Sequence, residues 1–188
     1  MKVGFVGAGQ VGATAAFILA SKNIVSSIVM IDIDDAVVGK ALDMMCCSPL
    51  FPFDTTITGS TDYSSLAGCE LIVITAGLAR KPGMSREDLL AKNSSIMSSI
   101  AASVKSHAPS AICIIVTNPL DVMTYLFLKK SGLPKEKVVG MAGVLDSARL
   151  RNFIAAELKV SPSSVTGMVL GAHGDSMVSL HRNYAKLA

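Results

Sequence analysis

Three groups of residues have types and spacings that suit chemistry. The first is Gly7-Ala8-Gly9-Gln10-Val11-Gly12, a G-x-G-x-x-G run between an apolar stretch and a helical one. In that setting Gly7 permits a tight turn. Gly9 leaves room for a pyrophosphate beside the backbone, and Gly12 lets the helix approach the strand. The helix start then offers amide donors and a positive dipole end to phosphate. Asp32, twenty residues after Gly12, closes the next apolar stretch. A carboxylate there accepts from a ribose diol and repels the 2′-phosphate of NADP, and Asp34 adds to the repulsion. NAD is therefore the expected cofactor. The plainer alternative is a tight turn with Asp32 as a solvated strand end, and the joint register of four features weighs against it.

The second group is His173, within Gly171-Ala172-His173-Gly174-Asp175, just past the run VTGMVL. A histidine between glycines at a strand end is expected to be exposed and sterically free, which suits acid/base work near neutral pH. A surface-loop histidine is the alternative, and His107 and His181 are read that way. The third group is arginine-bearing. Asp146 and Arg149 stand three apart at a helix start, where they form either part of a site or an intrahelical ion pair. Arg80 and Arg86 flank Lys81-Pro82-Gly83-Met84-Ser85, after the strand LIVIT. Loops at the C-terminal ends of such strands bind ligands, and Pro and Gly suit a lid. A solvated basic loop is the other reading. Guanidinium forks match carboxylates, so a two-carboxylate substrate would call for such arginines.

Alternating strands and helices must position these residues. Short apolar runs at Lys2–Val6, Ile28–Ile31, Thr55–Thr58, Leu71–Thr75, Ala111–Thr117 and Val138–Met141 predict six strands. LIVIT and CIIV lack in/out alternation, which predicts strands buried on both faces of a parallel sheet. Helices are predicted over Ala13–Ala20, Asp35–Met45, Arg86–Val104, Asp121–Lys130 and Leu145–Leu158, and a seventh strand over Val165–Leu170. The expectation is an α/β doubly wound parallel sheet (Rossmann) over 1–145. It is followed by the start of an incomplete α+β substrate domain over 146–188.

Composition excludes other classes. The 188 residues are 51% hydrophobic and 16% charged, unlike a disordered chain. Seventeen Lys+Arg against fourteen Asp+Glu give +3 without a basic run, so no nucleic-acid partner is expected. Cys46, Cys47, Cys69 and Cys113 form no Cys-x-x-Cys pair, so no metal site is expected and a reducing, cytoplasmic setting fits. No apolar run reaches the roughly eighteen residues of a membrane span.

Taken together, GAGQVG, Asp32, AGLARKPGMSR, VTNPLD, LDSARLR and GAHGDSMV resemble the lactate/malate dehydrogenase family in order and spacing. The likeness is nearest to its lactate-dehydrogenase-like malate dehydrogenases. The resemblance implies that His173 carries the substrate proton and that Asp146 holds its imidazole. It implies that Arg149 grips the C1 carboxylate, Arg86 polarises the substrate carbonyl, Arg80 binds a second carboxylate and Asn118 hydrogen-bonds substrate. Gly7, Gly9, Gln10, Val11, Gly12, Asp32, Asn93, Thr117 and Asn118 would hold NAD. The implied reaction is reversible hydride transfer between malate and NAD, by a homo-oligomer (dimer or tetramer). Lactate-type members usually carry Gln where Arg80 stands, so lactate is the weaker alternative. The likeness fades after Val178, and family members carry a further large segment beyond the position of Ala188. A non-catalytic NAD-binding module is therefore the other functional reading.

Overall fold

The computed structural model describes residues 1–79, 83 and 85–180, with backbone alone at Arg86. Its contacts divide the chain into two units, Met1–Gly140 and Met141–Ala188.

In the first unit β1 (Lys2–Val6), β2 (Ser27–Ile31), β3 (Thr56–Ser60), β4 (Leu71–Ile74), β5 (Ile112–Ile115) and β6 (Val138–Gly140) form one sheet. The order is β3-β2-β1-β4-β5-β6 and every pairing is parallel. Strand order reverses between β1 and β4, and the loops leaving those neighbours open a crevice at their C-terminal ends. The predicted Rossmann architecture is the one observed. Helices α1 (Gln10–Ser21), α2 (Ala36–Cys46), α3 (Arg86–His107) and α4 (Leu120–Ser131) connect the strands.

Small residues set the packing of α1, whose Ala16 and Ala20 are buried against Val3, Phe5, Ile28 and Met30. Val37 and Ala41 of α2 join the same cluster. The helix α3 starts at a capping box. Ser85 Oγ accepts from the Asp88 N–H at 3.0 Å, and the Ser85 N–H donates to Asp88 Oδ2 at 3.2 Å. The Ser85 hydroxyl, donating to Asp88 Oδ2 at 2.7 Å, and secondly the Ser85 N–H hold the Asp88 carboxyl below its usual range. Past the cap, α3 packs on α4, burying Met97, Ile100, Ala101 and Val104 from one and Met123 and Phe127 from the other. Gly132 ends α4 in the left-handed conformation, after Lys129 and Lys130 in the last turn.

Two sequence expectations need correction. β1 and β2 are buried on both faces, but β4 and β5 are not, and Ile112 is 46% exposed. Leu71 and Val73 reach only the margin of the α1–α2 cluster, so that face is half covered. The predicted strand over Val165–Leu170 shortens to β7 (Met168–Leu170). A single 3-10 turn precedes it, and the Val165 carbonyl accepts from Arg151 Nε at 2.6 Å.

The second unit opens with α5 (Gly143–Leu158), and β7 pairs antiparallel with β8 (Val178–Leu180). No helix among the described residues is long and apolar enough to cross a membrane. None of their His, Cys, Asp and Glu side chains cluster in threes that could hold a metal.

Candidate functional site

The glycine-rich turn is built as its spacing demands. The Gly7 N–H donates to the Ile31 carbonyl at 2.8 Å, tying the turn to the end of β2. Gly7 has φ +99°, and a Cβ there would stand 2.5 Å from the Ala76 nitrogen. A Cβ on Gly12 would stand 1.9 Å from the Gly7 carbonyl oxygen, so α1 reaches β1 only because that atom is absent. Gly9 differs from both, because a Cβ there meets nothing within 4 Å. Its backbone borders open space beside the first turn of α1, whose amides have no acceptor within the helix.

That space is a cleft of about 240 Å³ at the switch point, lined by Gly7, Gly9, Asp32, Ile33, Tyr63 and Leu78 among others. Asp32 faces it from the end of β2. Its Oδ2 accepts from the Ala8 N–H at 2.6 Å, and its Oδ1 accepts from the Ile33 N–H at 2.8 Å. These bonds fix the carboxylate, which keeps lone pairs for further donors. Asp34 is partly committed, its Oδ1 accepting from the Ala36 N–H at 3.0 Å. Burial, and secondly the Asp32 charge, push the Tyr63 phenol up, so it stays a neutral donor. Apolar walls, open backbone at Gly9 and the Asp32 carboxylate suit part of a dinucleotide, with backbone for phosphate and a carboxylate for ribose hydroxyls.

Asn93 and Thr117 hydrogen-bond the backbone of Leu78 and Ala76, which line this cleft. Asn93 is 1% exposed, and its Oδ1 accepts from the Leu78 N–H at 2.8 Å. Its Nδ2 donates to the Asn118 carbonyl at 2.9 Å. One buried amide thus joins the loop after β4 to the loop after β5. Thr117 Oγ1 donates to the Ala76 carbonyl at 2.7 Å and links the same two strand ends. Gln10 and Val11 are exposed in the first turn of α1. Arg80 and the Arg86 side chain lie outside the described residues, as does His181.

The second unit brings His173 and Asp146 together. Asp146 lies in the first turn of α5, where the helix dipole favours an anion. Its Oδ2 stands 2.8 Å from His173 Nδ1 and its Oδ1 3.4 Å from Arg149 Nη1. Asp146 is 7% exposed, the His173 side chain 21% and that of Arg149 57%. The expected free, exposed histidine is therefore an anchored one. The intrahelical Asp146–Arg149 pair expected as one reading of that spacing exists as well. Gly171, at φ +100°, turns the chain out of β7 into the histidine loop. The Val169 N–H donates to Ser147 Oγ at 2.9 Å, pinning β7 to the helix that carries Asp146.

Sequence reasoning passed over Lys40, Thr75, Tyr63 and Ser147. Thr75 Oγ1 donates to the Gly7 carbonyl at 2.9 Å and braces the turn. Lys40 Nζ donates to the Ala8 carbonyl at 2.5 Å. A lone lysine in the apolar stretch AVVGKAL was the one signal available for Lys40.

Comparison with known proteins places this geometry. Residues 1–140 match the family model described as lactate/malate dehydrogenase, NAD binding domain. A malate dehydrogenase of Bacillus thuringiensis (strain Al Hakam) is 52% identical over 184 residues, which are 96% of this chain and 59% of that one. The malate dehydrogenase of Picrophilus torridus superposes with a TM-score of 0.93 at 44% identity, covering 99% of this chain and 59% of the other. A lactate dehydrogenase from Cryptosporidium parvum, solved with lactic acid and β-nicotinamide adenine dinucleotide, gives 0.91 at 40% identity, covering 99% and 58%. The chain spans 59% of the length of the curated relatives it matches. A six-stranded sheet with its glycine turn at the switch point, and a family match over 140 residues of it, make the chain a member of the lactate/malate dehydrogenase family.

Proposed function

We propose that this chain carries the NAD site and the acid/base pair of a malate dehydrogenase. The observation that carries the reading is the His173–Asp146 pair, 2.8 Å apart, with Arg149 one turn along the same helix. When bound, NAD supplies the hydride chemistry, its nicotinamide C4 exchanging a hydride with C2 of malate or oxaloacetate.

The protein's own residues supply position, charge and the proton. With Nδ1–H donating to Asp146, the proton exchanged with the substrate oxygen is carried on Nε2. The Asp146 carboxylate holds the ring orientation and stabilises the imidazolium. Arg149 takes the C1 carboxylate as a two-pronged donor. Arg86 polarises the substrate carbonyl, Asn118 hydrogen-bonds the substrate, and Arg80 takes the second carboxylate. Gly7, Gly9, Gln10, Val11 and Gly12 present backbone to the pyrophosphate. Asp32 takes the adenosine ribose, and Asn93, Thr117 and Asn118 shape the nicotinamide end. A homo-oligomer in the cytoplasm is the expected form.

Arg80 separates malate from lactate as substrate. Opposite a methyl group, a guanidinium loses water without gaining a partner. Opposite a carboxylate it gains a charge-assisted bond of about 1.5–3 kcal/mol, roughly ten- to a hundred-fold in preference. The test is kcat/KM for oxaloacetate and pyruvate in the wild type and in Arg80→Gln. The ratio moves toward pyruvate if Arg80 reads the substrate and stays constant if it does not. NADH binding without turnover of either acid assigns the chain to the module reading instead.

A further inference from the structure

Ala8, between the first two glycines of the turn, is 1% exposed. Both of its backbone polar groups are held by side chains from other elements. Its N–H donates to Asp32 Oδ2, and its carbonyl accepts from Lys40 Nζ at 2.5 Å. Lys40 reaches it from α2, 32 residues along the chain. The ion pairs among the described residues are Met1–Glu70, Arg149–Asp146 and His173–Asp146, so that ammonium is committed to a carbonyl and not to a carboxylate.

We propose that Lys40 is a positioning residue for the dinucleotide phosphates, acting through the Ala8–Gly9 peptide. The proposal rests on the reading of the glycine turn as the pyrophosphate site. In a trans peptide the carbonyl and the next N–H point in opposite directions. Drawing the Ala8 carbonyl toward α2 therefore turns the Gly9 N–H away from α2. Gly9 is the position where a Cβ would meet nothing within 4 Å. A carbonyl left to swing toward that side would present its oxygen to a phosphate and repel it. A charged donor on the carbonyl also polarises the peptide and strengthens its N–H as a donor. Asp32 fixes the preceding amide, so the turn is held from both sides: one acid on the N–H and one base on the carbonyl of the same residue.

The experiment is calorimetric titration of the 188-residue chain with NADH and with ADP-ribose. It compares wild type, Lys40→Met and Lys40→Arg, with adenosine as a phosphate-free control followed by NMR. The expected result is about a tenfold loss for both phosphate ligands in Lys40→Met. Lys40→Arg should recover to within about threefold, and adenosine affinity should be unchanged in every variant. The loss should persist at about 0.5 M salt, because a bonded peptide is not screened as a distant charge is. Wild-type affinity for NADH in Lys40→Met overturns the role of Lys40 while the pyrophosphate site stands. A loss that vanishes in salt, or extends equally to adenosine, also overturns it. If the wild type binds neither phosphate ligand, the pyrophosphate reading itself fails and takes the proposal with it. Should Lys40→Met not fold, Lys40→Gln makes the same comparison.

Discussion

Replacing Gly9 and Gly12 by alanine, one at a time, separates a glycine kept for a ligand from one kept for the fold. At Gly12 the new Cβ would stand 1.9 Å from the Gly7 carbonyl oxygen and 2.6 Å from Thr75 Oγ1. Ordinary C···O contacts begin near 3.3 Å, so α1 must retreat by about 1.4 Å. Overpacking of that severity costs about 3 kcal/mol, which lowers Tm by roughly 6–12 °C in a chain of this size. At Gly9 the backbone has φ −72° and ψ −164°, which alanine adopts without strain, and the Cβ meets nothing within 4 Å. The unfolded chain loses freedom, so Gly9→Ala should leave Tm unchanged or raise it by up to about 3 °C. A ligand resting on that backbone would meet the new methyl at a cost of about 1–3 kcal/mol. NADH affinity then falls roughly 5- to 150-fold. Thermal unfolding and calorimetric titration of the two variants are the assays. Undiminished NADH binding by Gly9→Ala would refute the placement of a pyrophosphate at that backbone. A large drop in its Tm would refute the claim that the space is open.

Three further outcomes follow from named groups. On the proposed function, in which His173 carries the substrate proton, kcat/KM for oxaloacetate reduction and for malate oxidation should run in opposite directions with pH; parallel or flat profiles would argue against His173 as the proton carrier. Asp88 is held below its usual range by Ser85, so its contribution to the start of α3 is present above the ordinary carboxylate value and lost as pH falls through the lowered one. Amide exchange in the first turn of α3 should therefore accelerate, relative to the helix centre, as pH falls below the ordinary carboxylate value of 3.8, and Asp88→Asn should abolish that pH dependence. Burial pushes the Cys113 thiol up to about 12 and raises Cys69 as well, whereas Cys46 is exposed and Cys47 half-buried. Iodoacetamide at about pH 8 should label only Cys46 and Cys47 in the folded chain and all four thiols in denaturant. Early labelling of Cys113 would contradict the core around β5.

The parts of the molecule legible in sequence are those governed by short-range rules. The strand before Gly7, the turn and α1 follow from an apolar run, three glycines and a helical stretch within twenty-one residues. Asp32 at the end of β2 follows from spacing alone. The alternation of strands and helices marks a doubly wound parallel sheet, while the strand order is read from the structure. Contacts that close across the chain were less accessible. His173 and Asp146 are 27 residues apart, and nothing in either segment fixes their 2.8 Å approach. It depends on Ser147 pinning β7 and on Gly171 turning the loop. Asn93 was named by the family resemblance as a cofactor-site residue, but nothing in the sequence marked it as the amide that joins two loops. Ile112 sits in an apolar run and is nevertheless exposed, because burial depends on what covers a strand and not on the strand's own residues.

The central claim is that the turn at Gly7–Gly12 and the carboxylate of Asp32 form an NAD site. It is tested most directly by titrating the 188-residue chain with NADH and NADPH under identical salt and pH. The account predicts saturable one-to-one binding of NADH, and NADPH at least about tenfold weaker because its 2′-phosphate meets the Asp32 carboxylate. Equal affinity for the two, or no binding of NADH, would contradict it.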